Sequence, residues 1–123
     1  MLNRKQQYGL QSESLAAAAL KQKGYKIVAR NYRTRTGEID IIAKDGDVIV
    51  FVEVKARQTA RYGNPKQAVT WTKQQKIAKT ALAYLKSTNQ LDKRARFDVV
   101  AIQPAEKGQT VEIVKNAFEL NGI

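Results

Sequence analysis

The stretch Glu38-Ile39-Asp40-Ile41-Ile42-Ala43-Lys44-Asp45-Gly46-Asp47-Val48-Ile49-Val50-Phe51-Val52-Glu53-Val54-Lys55 decides the fold. Lys44-Asp45-Gly46-Asp47 is a tight-turn signal, and the runs on either side read as strands, so the two should form an antiparallel hairpin. Side chains alternate along a strand with period two. Val48, Val50, Val52 and Val54 therefore share one face of the second strand, and Ile49, Phe51, Glu53 and Lys55 the other. Both faces are apolar at first, which marks a central strand covered on both sides. A carboxylate and an ammonium then enter at its end, where they must be paired, hydrogen-bonded or bound to a metal.

Outward from the hairpin, Lys5 to Lys23 predicts a helix with Leu15, Ala16, Ala17, Ala19 and Leu20 as its apolar stripe and Gly24 as its stop, followed by extended structure over Tyr25 to Tyr32. A long helix should begin after Asn64-Pro65, with Asn64 as cap and Pro65 in the first helical position. Its inward stripe is Ile77, Ala78, Ala81, Leu82 and Leu85; Lys76, Lys79 and Lys86 lie on the other side. Phe97 to Ile102 predicts a further strand, Val111 to Val114 a short edge strand, and the tail a turn of helix. The order α-β-β-β-α-β-β is an α/β architecture of helices packed on a mixed sheet. With no repeat, linker or low-complexity run, residues 1–123 read as one domain.

Composition narrows the chemistry. Without His or Cys there is no zinc finger, no histidine general base, no Ser-His-Asp or Cys-His nucleophile and no redox dithiol. Catalysis would have to come from carboxylates, lysines, hydroxyls or a metal held by oxygen ligands. The 22 Lys and Arg against 11 Asp and Glu give a formal charge of +11, which favours a polyanionic partner. No targeting segment or membrane-spanning run is visible, so a cytoplasmic location is the expectation, with no membrane partner.

Parity brings a second acid to Glu53. If Lys44 pairs with Asp47, Asp40 lies opposite Phe51 and diagonal to Glu53; with a loop two residues longer, Asp40 lies opposite Glu53 itself. Either register converges Asp40, Glu53 and Lys55. Crowded carboxylates raise a pKa or recruit a hard divalent cation, Mg²⁺ or Mn²⁺. Glu13 falls in the stripe Glu13, Ala16, Ala17, Leu20 and is expected to enter from the helix near its first turn; Asp98 could join the group.

Asp40 followed by Glu53-Val54-Lys55 at the end of a hydrophobic strand resembles the PD-(D/E)xK nuclease superfamily. The wider pattern of Gly37-Glu38-Ile39-Asp40, Phe51-Val52-Glu53-Val54-Lys55-Ala56-Arg57 and Arg96-Phe97-Asp98-Val99-Val100 resembles the YraN-like family, related to archaeal Holliday junction resolvases. The resemblance implies a restriction-endonuclease-like mixed sheet flanked by helices, and a single nuclease-like domain. It also implies a metal-dependent endonuclease that hydrolyses DNA phosphodiester bonds, on branched or otherwise structured DNA by analogy with the resolvases. Asp40, Glu53 and the carbonyl of Val54 would hold metal, Glu13 would bind it directly or through water, and Lys55 would orient or deprotonate the attacking water. Arg30, Arg33 and Arg35 before the acids, Arg57, Arg61, Tyr62 and Lys66 after them, and Lys76 on the long helix are candidate nucleic-acid contacts. Resolving a symmetric junction would require two centres, hence a homodimer.

Plainer readings exist for each group. Asp40, Glu53 and Lys55 could be a salt bridge at a strand end, and Glu13 could answer the helix macrodipole. Asp98 fits an ion-pair partner of a neighbouring base, and Trp71 and Tyr62 fit packing as well as base stacking. The contrasting function is a non-catalytic nucleic-acid-binding module on the same fold; a third is a basic structural protein of a ribonucleoprotein.

Overall fold

The computed structural model describes residues 3–56 and 69–119, the backbone alone for 5–10. Its elements are α1 (Arg4–Gln22), β1 (Lys26–Thr34), β2 (Gly37–Asp45), β3 (Val48–Ala56), α2 (Trp71–Ser87), β4 (Ala95–Pro104) and β5 (Gln109–Val114), the α-β-β-β-α-β-β order of a mixed α/β fold. The five strands lie in sequence order; β3 and β4 run parallel, and the other neighbours antiparallel. Among the described residues, no helix is long and apolar enough to cross a membrane.

The alternation along β3 sorts the core into two layers. Val50 and Val52, with Ile41, Ala43, Val100 and Ile102, pack against Ala16, Ala17 and Leu20 of α1. Ile49 and Phe51, with Ile42 and Val99, pack against Ile77, Ala81 and Leu85 of α2. Helices therefore cover opposite faces of the sheet, and β3 is buried from both sides, as its apolar run requires. Gly24 ends α1 in a left-handed turn (φ 93°). There the Tyr25 N–H reaches the Leu20 carbonyl at 3.0 Å and the Gly24 N–H the Lys21 carbonyl at 3.0 Å, a geometry that favours glycine.

Several expectations need correction. The long helix α2 begins at Trp71, later than expected; Asn64 and Pro65 lie outside the described residues. Val69 and Thr70 are non-helical, and Thr70 is the cap of α2: its hydroxyl accepts from the Lys73 N–H at 3.2 Å. Thr80, rather than Leu82, completes the buried face of α2, because its hydroxyl can donate to the Lys76 carbonyl at 2.8 Å within its own helix. Glu13 sits in the middle of α1, not near its first turn, so the macrodipole has no bearing on it. The tail adds no helix over the described residues; a turn at Lys115 and Asn116 leads into irregular chain as far as Glu119.

Candidate functional site

The hairpin turn is Gly46-Asp47, closed by Asp45 against Val48, and the ladder runs Ile42 with Phe51 and Ile41 with Val52. The register that puts Asp40 opposite Phe51 is thereby excluded. Carried one step further, the observed register brings Asp40 to Glu53, but the ladder stops first. Ile39 packs on the α2 layer while Ile41 and Ala43 pack on the α1 layer, although residues two apart on a regular strand share a face. The chain of β2 therefore twists at Asp40. In an unbroken ladder Val54 would bond the backbone of Ile39; instead its N–H donates to Asp40 Oδ2 at 2.8 Å. The side chain of Asp40 thus takes the place of a strand partner. Because N–H and C=O of one strand residue point to the same side, the Val54 carbonyl opens toward the same carboxylate.

Three acids converge there. Single carboxylate oxygens of Glu13, Glu38 and Asp40 all lie within 4.8 Å of one another, all three residues half-buried. Asn31, with its amide nitrogen turned to the acids, donates to both oxygens of Glu13 at 3.1 Å and to Glu38 Oε1 at 3.3 Å. Its backbone is left-handed (φ 54°), a conformation Asn tolerates well. Arg33 pairs with Glu38 at 3.3 Å. Glu53, only 5 % exposed, faces the α2 side and is ion-paired with Lys73. Glu38, Asp40 and Glu53 line a cleft of about 340 Å³ with Thr70, Thr72, Lys73 and Lys76 of the α2 end.

The electrostatics follow from this crowding. Burial pushes the Asp40 carboxyl up, and the charges of Glu53 and Glu13 add to it. The Val54 N–H and Lys73 pull the other way, and the balance lies at about 7 against an ordinary 3.8. Burial works against the charge of Lys73, but the hydrogen bond and charge of Glu53, with Asp40 and Glu38 behind it, outweigh burial and raise its pKa. With every acid ionised, Glu13, Glu38, Asp40 and Glu53 face two ion-paired cations among the described residues, Arg33 and Lys73. A formal excess of two negative charges remains.

The other candidates are distributed around this centre. Lys55 is half-buried two residues beyond Glu53 and forms no ion pair among the described residues; the ammonium against Glu53 belongs to Lys73. Arg30 is exposed and donates to Ser14 Oγ on α1 at 3.4 Å. Arg35 is exposed in the turn between β1 and β2, and Lys76 is exposed at the cleft wall. Arg57, Arg61, Tyr62 and Lys66 lie outside the described residues. Trp71 is 71 % exposed at the start of α2, so packing does not account for it.

Asp98 does not join the acids. It is fully buried and takes hydrogen bonds from Arg96 Nε (2.8 Å), Tyr25 OH (2.8 Å) and the Asn116 N–H (2.9 Å). Arg96 also reaches Asp45 at 2.9 Å, where β2 ends at the hairpin turn, so this network lies at the other end of β2 from Asp40. Burial, with the Asp98 bond and charge, holds the Tyr25 hydroxyl above its ordinary range, and the Arg96 bond lowers Asp45. Sequence reasoning missed Glu38, Asn31 and Lys73. Glu38 was within reach, since it shares strand parity with Asp40.

A model of the family described as "Uncharacterised protein family UPF0102" matches residues 12–102. A UPF0102 protein of Desulfosudis oleivorans is 55% identical over 121 residues, covering 98% of this chain and 97% of the relative. Those of Geobacter sulfurreducens and Symbiobacterium thermophilum are 51% and 47% identical, covering 91% and 89% of this chain and 88% and 94% of their own. The matched segment contains Glu13, Glu38, Asp40, Glu53 and Lys73, and the chain belongs to the UPF0102 family, the YraN-like proteins.

Proposed function

We propose that this protein is a metal-dependent endonuclease that hydrolyses DNA phosphodiester bonds, with Mg²⁺ or Mn²⁺ in the acid cleft and branched or otherwise structured DNA as substrate. The observation that carries this reading is the convergence of Glu13, Glu38 and Asp40 within 4.8 Å, beside Glu53, with only Arg33 and Lys73 ion-paired to these acids among the described residues. Surface salt bridging does not explain it. Like charges are brought together at a cost that a bound divalent cation would offset. All donors are hard oxygens, which suit Mg²⁺ or Mn²⁺.

Asp40, Glu13 and Glu38 would hold the ion, with the Val54 carbonyl and Glu53 completing the set. A bound divalent cation would lower the pKa of water, polarise the phosphodiester and support the leaving oxygen. The chain's own part is positioning. The Val54 N–H fixes the rotamer of Asp40, and Asn31 holds Glu13 and Glu38 together. Lys55 is assigned to the attacking water, and Lys76 and Arg35 to phosphate oxygens outside the cleft. Water would attack phosphorus, the P–O bond to one sugar oxygen would break, and that oxygen would leave with a proton. Cutting both strands of a symmetric junction would need two such centres, and so a homodimer.

Divalent-dependent cleavage of branched, flap, single-stranded and duplex DNA tests the proposal. Cleavage by the wild type, abolished by chelation and by Asp40→Asn and Glu53→Gln while binding survives, is the expected outcome. Unchanged cleavage in both variants would refute the assignment. Binding without cleavage on all four substrates would leave the non-catalytic binding module, and an RNA preference indifferent to metal would leave the ribonucleoprotein role.

A further inference from the structure

Lys73 is the cation that the hairpin pattern does not provide. It sits in the first turn of α2, and the pair it forms with Glu53 is asymmetric: the lysine side chain is 47% exposed and the glutamate 5%. A buried carboxylate left without a partner is costly, whereas a half-exposed ammonium on a flexible stem can return to water with little loss. Glu53 therefore needs a cation, but Lys73 does not need Glu53. The Thr70 hydroxyl caps the backbone of that first turn, so the helix end stays in place whichever way the lysine stem points.

We propose that Lys73 is the site's resident counter-ion, neutralising Glu53 until a divalent cation binds and then giving up that carboxylate to it. This rests on the metal-centre reading above. The ammonium so released stays at the cleft wall beside Lys76, where a phosphodiester would replace Glu53 as its anionic partner. The two cations compete for one carboxylate, so Lys73 lowers the apparent affinity for metal and raises affinity for the anion that follows.

Calorimetric titration of the full chain with Mn²⁺ alone, after chelator treatment, tests this. Lys73→Gln keeps a donor for Glu53 but removes the charge. It should bind Mn²⁺ about tenfold more tightly than wild type, the scale on which a neighbouring charge acts near a protein surface. Lys79→Gln removes a charge from the exposed side of α2, away from the cleft, and should stay within about twofold of wild type because solvent and salt screen it. Equal or weaker binding by Lys73→Gln, with wild type binding normally, overturns the counter-ion role and leaves the metal centre standing. No binding by wild type removes the metal centre and this inference together. If Lys73→Gln does not fold without metal, Lys73→Arg decides. Its bidentate fork should grip Glu53 harder and weaken Mn²⁺ binding, and unchanged affinity overturns the proposal.

Discussion

Asp40 is a carboxyl for which a proton, a backbone N–H and neighbouring acids all compete. Its pKa of about 7 lies above the ordinary 3.8, so between about pH 4 and 7 the folded protein carries a proton that the unfolded chain has lost. Stability of the metal-free protein should therefore fall as pH rises through that window, by roughly 4 kcal/mol, and level off above it. Denaturant unfolding in chelator at pH 5 and pH 8 measures this; Asp40→Asn, permanently neutral and still able to accept the Val54 N–H, should lose most of the slope. Replacing Glu38 with Gln should weaken Mn²⁺ binding by about tenfold or more, whereas a purely structural Glu38–Arg33 pair predicts no change. Parity along a strand and across a hairpin is legible in a sequence, which is why Asp40 and Glu53 were found on neighbouring strands and why Glu38, two residues before Asp40, could have been. Lys73 and Asn31 were not legible. Their places depend on how α2 crosses the sheet and on a left-handed residue in β1, neither of which leaves a local pattern.

At the level of elements, the site exists because β2 leaves β3 after Ile41 and its first residues lean on α2. Gly37 (φ 155°) allows this approach: a Cβ there would meet Thr80 Oγ1 at 3.2 Å, tighter than ordinary contact, in a backbone conformation that side chains rarely adopt. Thr36 and Thr80 hydroxyls join the same contact at 3.0 Å. Gly37→Ala should therefore destabilise the fold by about 1 kcal/mol or more and weaken Mn²⁺ binding, because Glu38 and Asp40 follow directly. Thr70→Ala, which removes the cap of α2, should cost about 1 kcal/mol in thermal or chemical unfolding. The hairpin, the central strand and the order of elements were readable from alternation and turn chemistry. The start of α2 was not. Local chemistry makes Thr70 no stronger a helix start than Asn64-Pro65, and the docking of α2 through Ile77, Ala81 and Leu85 leaves no pattern at its cap.

Across the whole molecule, two polar clusters lie at opposite ends of β2 and do different work. Around Asp98, acids and bases are matched by Arg96, Tyr25 and Asn116, as in a structural network; around Asp40 the acids outnumber their partners. Asp98→Ala should cost roughly 3 kcal/mol or more of stability, since it removes the buried acceptor of Arg96 Nε, the Tyr25 hydroxyl and the Asn116 N–H and leaves Arg96 ion-paired with Asp45 alone among the described residues, while Mn²⁺ affinity of the folded fraction stays unchanged. The chain as a whole carries a formal charge of +11, whereas this cleft gathers Glu38, Asp40 and Glu53. The most direct measurement is anomalous diffraction from crystals soaked in Mn²⁺. A manganese peak bounded by Asp40, Glu13 and Glu38 with Glu53 at its edge is the expected result; an acid cleft without a peak at saturating Mn²⁺ would overturn the metal centre.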